Sequence, residues 1–243
     1  IPELARSAAR LGNVNIAPDA DGVYRRAPPA VKFDGKLVPS LSLAAYLAGK
    51  RQAALSLGTA GRCIRLDGRK VPLDGRGNLI VRFDRGGGKR RRFSAAAIIQ
   101  SEIRLARNSE NRPPVDPLAL KGRHVMVGFS AVGLYDLHPL PIDSTAPGVE
   151  FHAAMLENLL SGNFMRRPSP AGELLYAALF AFLAGLATSL AKRTPATSAA
   201  FAGVFVLPFG IGLLAHGAGL WLPVVVPGAA GLIGAVTAAV VNY

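Results

Sequence analysis

Gly128-Phe129-Ser130-Ala131-Val132-Gly133 is the stretch of this chain best equipped for chemistry. A serine between glycines, with Asp136, His138 and His152 downstream, has the residue types of a nucleophile and its acid–base partners. The spacing is against it. A nucleophile elbow reads G-x-S-x-G, and this is G-x-S-x-x-G, which misplaces the second glycine. The same turn also suits the carboxyl end of a strand in an open α/β sheet. Ligands bind there, and backbone N–H groups can hold an anion. Close backbone packing is the plainer reading of its small residues.

Other clusters are weaker. Asp19-Ala20-Asp21-Gly22 hints at a calcium loop, but the position that should supply a bidentate glutamate is Ala30, so a structural turn is expected. Arg25-Arg26 beyond it either pair with Asp19 and Asp21 or face solvent. Gly86-Gly87-Gly88-Lys89-Arg90-Arg91-Arg92 lacks the spacing and the Ser/Thr of a phosphate-binding loop. It reads as a solvated basic loop, with docking to anionic polymer or lipid through Lys89–Arg92 as the sharper alternative. Nucleic acid is not expected, because no aromatic platform accompanies the run. His124, His138, His152 and His216 show no metal-ligand spacing, and Cys63 is the only cysteine. No metal, cofactor or intrachain disulfide is expected.

Elements that could position these residues follow from punctuation and periodicity. Asn13–Ile16 and Val23–Phe33 read as strands, the second limited to an edge by Pro28-Pro29, with Asp34-Gly35 as a hairpin turn. Ser40 caps a helix over Leu41–Leu47 that Gly49 ends. Cys63–Leu66 and Asn78–Phe83 read as strands, with turns at Asp67-Gly68 and Asp74-Gly75. Ser94 caps a helix from Ala95 to about Arg107, and Arg112-Pro113-Pro114 stops it. His124–Phe129 reads as a short buried strand, and Val149–Leu160 as a helix after Pro147-Gly148 that Gly162 closes. Hairpins mixed with helix–strand units imply a mixed-sheet α/β domain.

Composition divides the chain. Half of its 243 residues are hydrophobic, 18% are charged, and the mean hydropathy is +0.30. Residues 171–243 contain only Glu173, Lys192 and Arg193 as ionised side chains, so nearly all of the +13 formal charge lies in residues 1–170. That excludes a disordered chain, a disulfide scaffold and a simple cytosolic enzyme. Leu174–Ala191, Ala196–Ala215 and Leu220–Val241 are apolar runs near the ~20 residues that a membrane span needs. None has the polar stripe of a soluble helix. Trp221 and Tyr243 sit where interfacial rings belong. Ala230, Gly234 and Ala238, flanked by Gly231, Ala235 and Ala239, form a small-residue stripe suited to close helix contact. Lys192-Arg193 between the first two runs favour the cytoplasm, which places Tyr243 inside and residues 1–170 outside. Arg166-Arg167 oppose that orientation. The first residue is Ile1, with no signal peptide, which reads as part or processed product of a longer protein.

An ordered set of stretches carries a family resemblance. They are Gly12–Asn15 with Pro18–Arg26, Pro39–Ala44, Phe93–Ala96, Lys121–Gly128 with Ser130–Asp136, and Pro147–Ala153 with Asn158–Gly162. Together they resemble the type-two CHASE domain, the extracellular sensory module associated with cyclases and histidine kinases. The resemblance covers most of residues 10–168 and implies a periplasmic or extracellular sensor with membrane helices and a covalently linked cytoplasmic output. That output would be a nucleotide cyclase, or else a histidine or Ser/Thr kinase. It also implies a homodimer, since such outputs work in pairs.

The expectation is therefore an extracytoplasmic sensory domain over 1–170 and a transmembrane block over 171–243 in a cell inner membrane, with no catalysis in this chain. The bilayer and an unknown extracytoplasmic ligand are the expected partners. The sensing surface is expected on the Gly128–Asp136 loop and the Pro147–His152 helix start, with Ser130, Gly133, Asp136, Glu150 and His152 as ligand-binding candidates. A membrane-tethered hydrolase built on Ser130 and the polyanion-docking module are the more distant alternatives.

Overall fold

The computed structural model describes residues 2–50, 55–57, 63–83, 91–107, 111–134, 136–191 and 194–242. Lys89 and Arg90 of the basic run, Tyr135, the Lys192-Arg193 turn and Tyr243 lie outside the described residues. In chain order the elements are α1 (Pro2–Ser7), β1 (Arg26–Ala27), β2 (Ala30–Phe33), β3 (Lys36–Pro39), α2 (Leu41–Ala48), β4 (Leu55–Leu57), β5 (Cys63–Leu66), β6 (Arg69–Pro72), β7 (Leu79–Ile80), α3 (Ala95–Ala106), β8 (Leu137–Leu140), β9 (Asp143–Pro147), α4 (Gly148–Ser161), α5 (Pro170–Leu190), α6 (Thr194–Gly217) and α7 (Val225–Asn242). The mixed α/β expectation holds, with the strands spread over small sheets and followed by three long apolar helices. Two compact units emerge: residues 1–55 with 81–162, and residues 56–80 with 163–243.

In the first unit the proline pair splits the expected long strand into β1 and β2. β2 and β3 then form an antiparallel hairpin with Ala30 opposite Pro39 and Phe33 opposite Lys36. Its turn works because Asp34 and Gly35 both take positive φ, 48° and 72°. Ser40 caps α2 by accepting the Leu43 N–H, and α2 packs on α4. Leu43, Phe151, Met155 and Leu159 are almost fully buried there. Asn158, also buried, binds the backbone of Arg82 at both ends: it accepts the Arg82 N–H at 2.7 Å and donates to its carbonyl at 3.0 Å. Gly162 ends α4 at φ 74°, the left-handed conformation that glycine adopts without strain.

Three other expected strands change. Asn13–Ile16 contributes only an isolated bridge, Asn13 to Ser40. Asn78–Phe83 shortens to β7. His124–Phe129 is neither a strand nor buried. It is an irregular segment with no backbone ladder, and its Val127 is 87% exposed. Alternating β-branched residues favour a pleated surface only when a partner strand supplies one.

In the second unit β5 and β6 pair antiparallel around the Asp67-Gly68 turn, and β4 adds a third strand to their sheet. Helices α5, α6 and α7 hold 21, 24 and 18 residues. At 1.5 Å per residue they span roughly 27–36 Å, the scale of a bilayer's ~30 Å hydrocarbon core. All three are long and apolar enough to cross a membrane. Many of their outward side chains are large and apolar, among them Leu175, Phe182, Phe209, Leu214, Val225 and Val240. Water would penalise such a surface, whereas lipid requires it. The small-residue stripe of α7 faces α5: Gly231 lies under the Phe180 ring, and Gly234 lies against the Ala181 carbonyl and Gly185.

Candidate functional site

The start of α4 collects most of the candidate residues. Pro147 precedes the helix and gives it no side-chain cap. The loop before β8 supplies the missing interactions. Asp136 accepts the Gly148 N–H on its backbone carbonyl at 2.8 Å. Its carboxylate lies over the Gly148 Cα, where a Cβ would collide with it. Gly128 in turn lies against the Val149 side chain, again with no room for a Cβ. Thus both ends of the Gly128–Asp136 loop touch the first turn of α4. Negative charge at a helix N-terminus is stabilising, and Asp136 with Glu150 in the first turn supplies it twice.

A hairpin orients the rest. β8 and β9 pair antiparallel with His138 opposite Ala146 and an irregularity between His138 and Leu140. Pro139 has no N–H for the ladder, and its carbonyl instead accepts the Tyr24 N–H at 2.9 Å. This sets the Tyr24 ring 4.5 Å from the His138 imidazole, tilted by 53°. His138 Nε2 lies 3.3 Å from the Asp136 carboxylate. Glu150 is mostly buried and pairs with the exposed Arg92 at 2.7 Å.

His152 is placed one helical turn deeper than the surface. It is 5% exposed. Its Nε2 lies 3.1 Å from the Val14 carbonyl, which requires the proton on that nitrogen, and its Nδ1 faces the Ser42 hydroxyl at 3.4 Å. Ser42 donates instead to the His152 carbonyl at 2.9 Å. Burial pushes the His152 pKa below its ordinary value. The Val14 carbonyl and the Asp136 charge oppose that shift, and His138 adds to it.

Ser130 and Gly133 are exposed, Gly133 in a single 3-10 turn over Val132–Leu134. Ser130 hydrogen-bonds to no histidine among the described residues, and both nitrogens of His152 face other groups. The geometry brings Asp136, Glu150 and His152 together at one helix end and leaves Ser130 and Gly133 on the loop beside it. Tyr24 and Arg92 enter this site from distant stretches of chain that no local pattern links to it. Two half-exposed polar groups, Asp136 and His138, beside an aromatic ring can accept hydrogen bonds from a donor-bearing small molecule.

The Asp19–Gly22 stretch is a turn. Asp19 N–H donates to the Val23 carbonyl and Gly22 N–H to the Asp19 carbonyl, both at 2.9 Å. Arg25 grips Asp21 with two bonds of 2.8 Å, and Arg26 pairs with Asp19 at 2.8 Å. The Arg25 guanidinium, aided by the Val23 N–H, holds the Asp21 carboxyl at about 2. The carboxylates that a cation would need are thus engaged by arginines.

Comparison with known proteins bears on all of this. No curated protein and no solved structure matches the chain. A family model described as the CHASE2 domain matches residues 1–188, which takes in the whole polar region and nearly all of α5.

Proposed function

This chain belongs to the CHASE2 domain family, sensory extracellular domains of signalling receptors, and from that premise we propose that it senses for a nucleotide cyclase. In this reading residues 1–170 face the outside of a cell inner membrane and bind a small polar ligand at the start of α4. Helices α5–α7 anchor the sensor and carry its state inward to a covalently linked output domain, in a homodimer. The chain itself catalyses nothing. The observation that carries the reading is the extent of the family match, which runs without a break from the polar region into the first apolar helix. A sensor can act across a bilayer only if its two states position the helix differently.

The test is a full-length receptor in a cyclic-nucleotide reporter strain. Asp136→Ala and Glu150→Ala should each change the signalling response while leaving the protein folded and membrane-inserted. Wild-type responses from both would remove this surface from the reading. Purified receptor incubated with ATP or GTP should yield cyclic nucleotide; phosphoprotein without cyclic nucleotide would make the output a kinase.

A further inference from the structure

Beside the first apolar helix the second unit holds a cavity of about 210 Å³, lined by Lys70, Pro72, Leu73, Asp74, Ile80, Met165, Arg166 and Arg167. Three of these are cations. Arg167 is committed, bonded through two nitrogens to Glu173 in the first turn of α5. The exposed side chains of Lys70 and Arg166 carry no ion pair or hydrogen bond among the described residues. Asp74 Oδ1 caps its own turn by accepting the Arg76 and Asn78 N–H groups at 2.9 Å each. Buried Ile80 and Met165, with Pro72 and Leu73, provide an apolar wall.

The position of the cavity narrows its ligand. Arg166 lies three residues before Ser169, the N-cap of α5. Its backbone is tied to the connection between α6 and α7: Arg166 N–H donates to the Gly219 carbonyl at 2.8 Å, and Trp221 N–H to the Arg166 carbonyl at 2.7 Å. One end of α5 and the only tryptophan of the chain therefore share a level with Lys70 and Arg166, the two cations without a partner among the described residues. Tryptophan at the end of a span marks the headgroup layer. The abundant anion of that layer is a phosphate ester, which a guanidinium binds through two parallel hydrogen bonds and an ammonium as a point charge.

We propose that this cavity binds the phosphate of an anionic phospholipid headgroup, held by Arg166 and Lys70 against the Ile80–Met165 wall. The proposal rests on the membrane placement of α5–α7. Its consequence is that lipid composition acts on the segment that leads into α5, separately from any ligand at α4.

Trp221 is a built-in reporter. The full 243-residue chain is reconstituted in bilayers carrying dibrominated phosphatidylglycerol or dibrominated phosphatidylcholine, and quenching of Trp221 gives the relative association of the two lipids. Phosphatidylglycerol should be preferred. Arg166→Gln and Lys70→Gln should each lower that preference roughly fivefold, the effect of one cation at an anionic surface. Arg65→Gln, an exposed charge on β5 outside the cavity, should leave it unchanged. Equal quenching by both lipids in the unaltered chain, or the same loss from Arg65→Gln, would overturn the site. Soluble glycerol 3-phosphate separates the sources. If it shifts Trp221 emission through Arg166 while phosphatidylglycerol gains no preference, the phosphate comes from solution and the lipid assignment falls. Quenching by neither brominated lipid would instead overturn the membrane placement, and the proposal with it.

Discussion

His152 and Asn158 lie on one helix, both buried, and they stabilise it by different chemistry. His152 is held neutral by burial, below its ordinary 6.5. As pH falls, the unfolded chain takes up this proton first. The contribution of His152 is therefore complete above about 6.5 and is lost as pH drops towards the folded value. Thermal unfolding of the chain at about pH 8 and about pH 5 should show this loss, and His152→Gln should flatten that arm of the profile. An unchanged acid slope in the variant would assign it to other groups. Asn158→Leu removes two hydrogen bonds at once and strips the Arg82 backbone of this buried partner. The expected loss is about 2 kcal/mol, read from a denaturant midpoint. Its size would separate a structural clamp from a dispensable contact.

At the scale of elements the same logic applies to helix ends and helix seams. Gly162→Ala forces a Cβ into the left-handed region at φ 74° and should destabilise by about 1 kcal/mol, measurable as a lower Tm. Gly234→Leu drives a side chain into the Ala181 carbonyl of α5 and should cost about 1–3 kcal/mol in detergent. Ile233→Leu, at a side chain that is 68% exposed, should cost almost nothing. Equal effects from the two would mean that α7 does not pack on α5 through its small residues. The elements that could be read in the sequence were those with local punctuation. Ser40 and Gly49 bound α2, Asp34-Gly35 and Asp67-Gly68 mark their hairpins, and Gly162 closes α4. The His124–Phe129 segment could not be read this way, because its alternation is silent about whether a partner strand exists. The candidate site was half legible. The loop and the helix start lie close in sequence, whereas the Arg92–Glu150 pair and the Tyr24–His138 ring contact join stretches that only tertiary structure brings together.

For the whole molecule the proposed membrane placement makes a prediction about direction across the bilayer. The Lys192-Arg193 charges argue for a cytoplasmic turn between α5 and α6. A chain with Cys63→Ser and Gly87→Cys, treated in intact cells with a membrane-impermeant maleimide, should label before lysis. Labelling only after lysis would reverse the orientation. In the proposed receptor, the segment from Asn163 to Ser169 is the path from the sensing site to the output. It is stapled to the α6–α7 connection by the two Arg166 backbone bonds and to α5 by Arg167 and Glu173. A slack tether dissipates a displacement as chain entropy, but a stapled one behaves as a stiff coupling with almost no play. Inserting Gly-Gly between Gly162 and Asn163 should accordingly act like a slipped clutch: the sensor still binds, the helices still insert, and the output no longer follows.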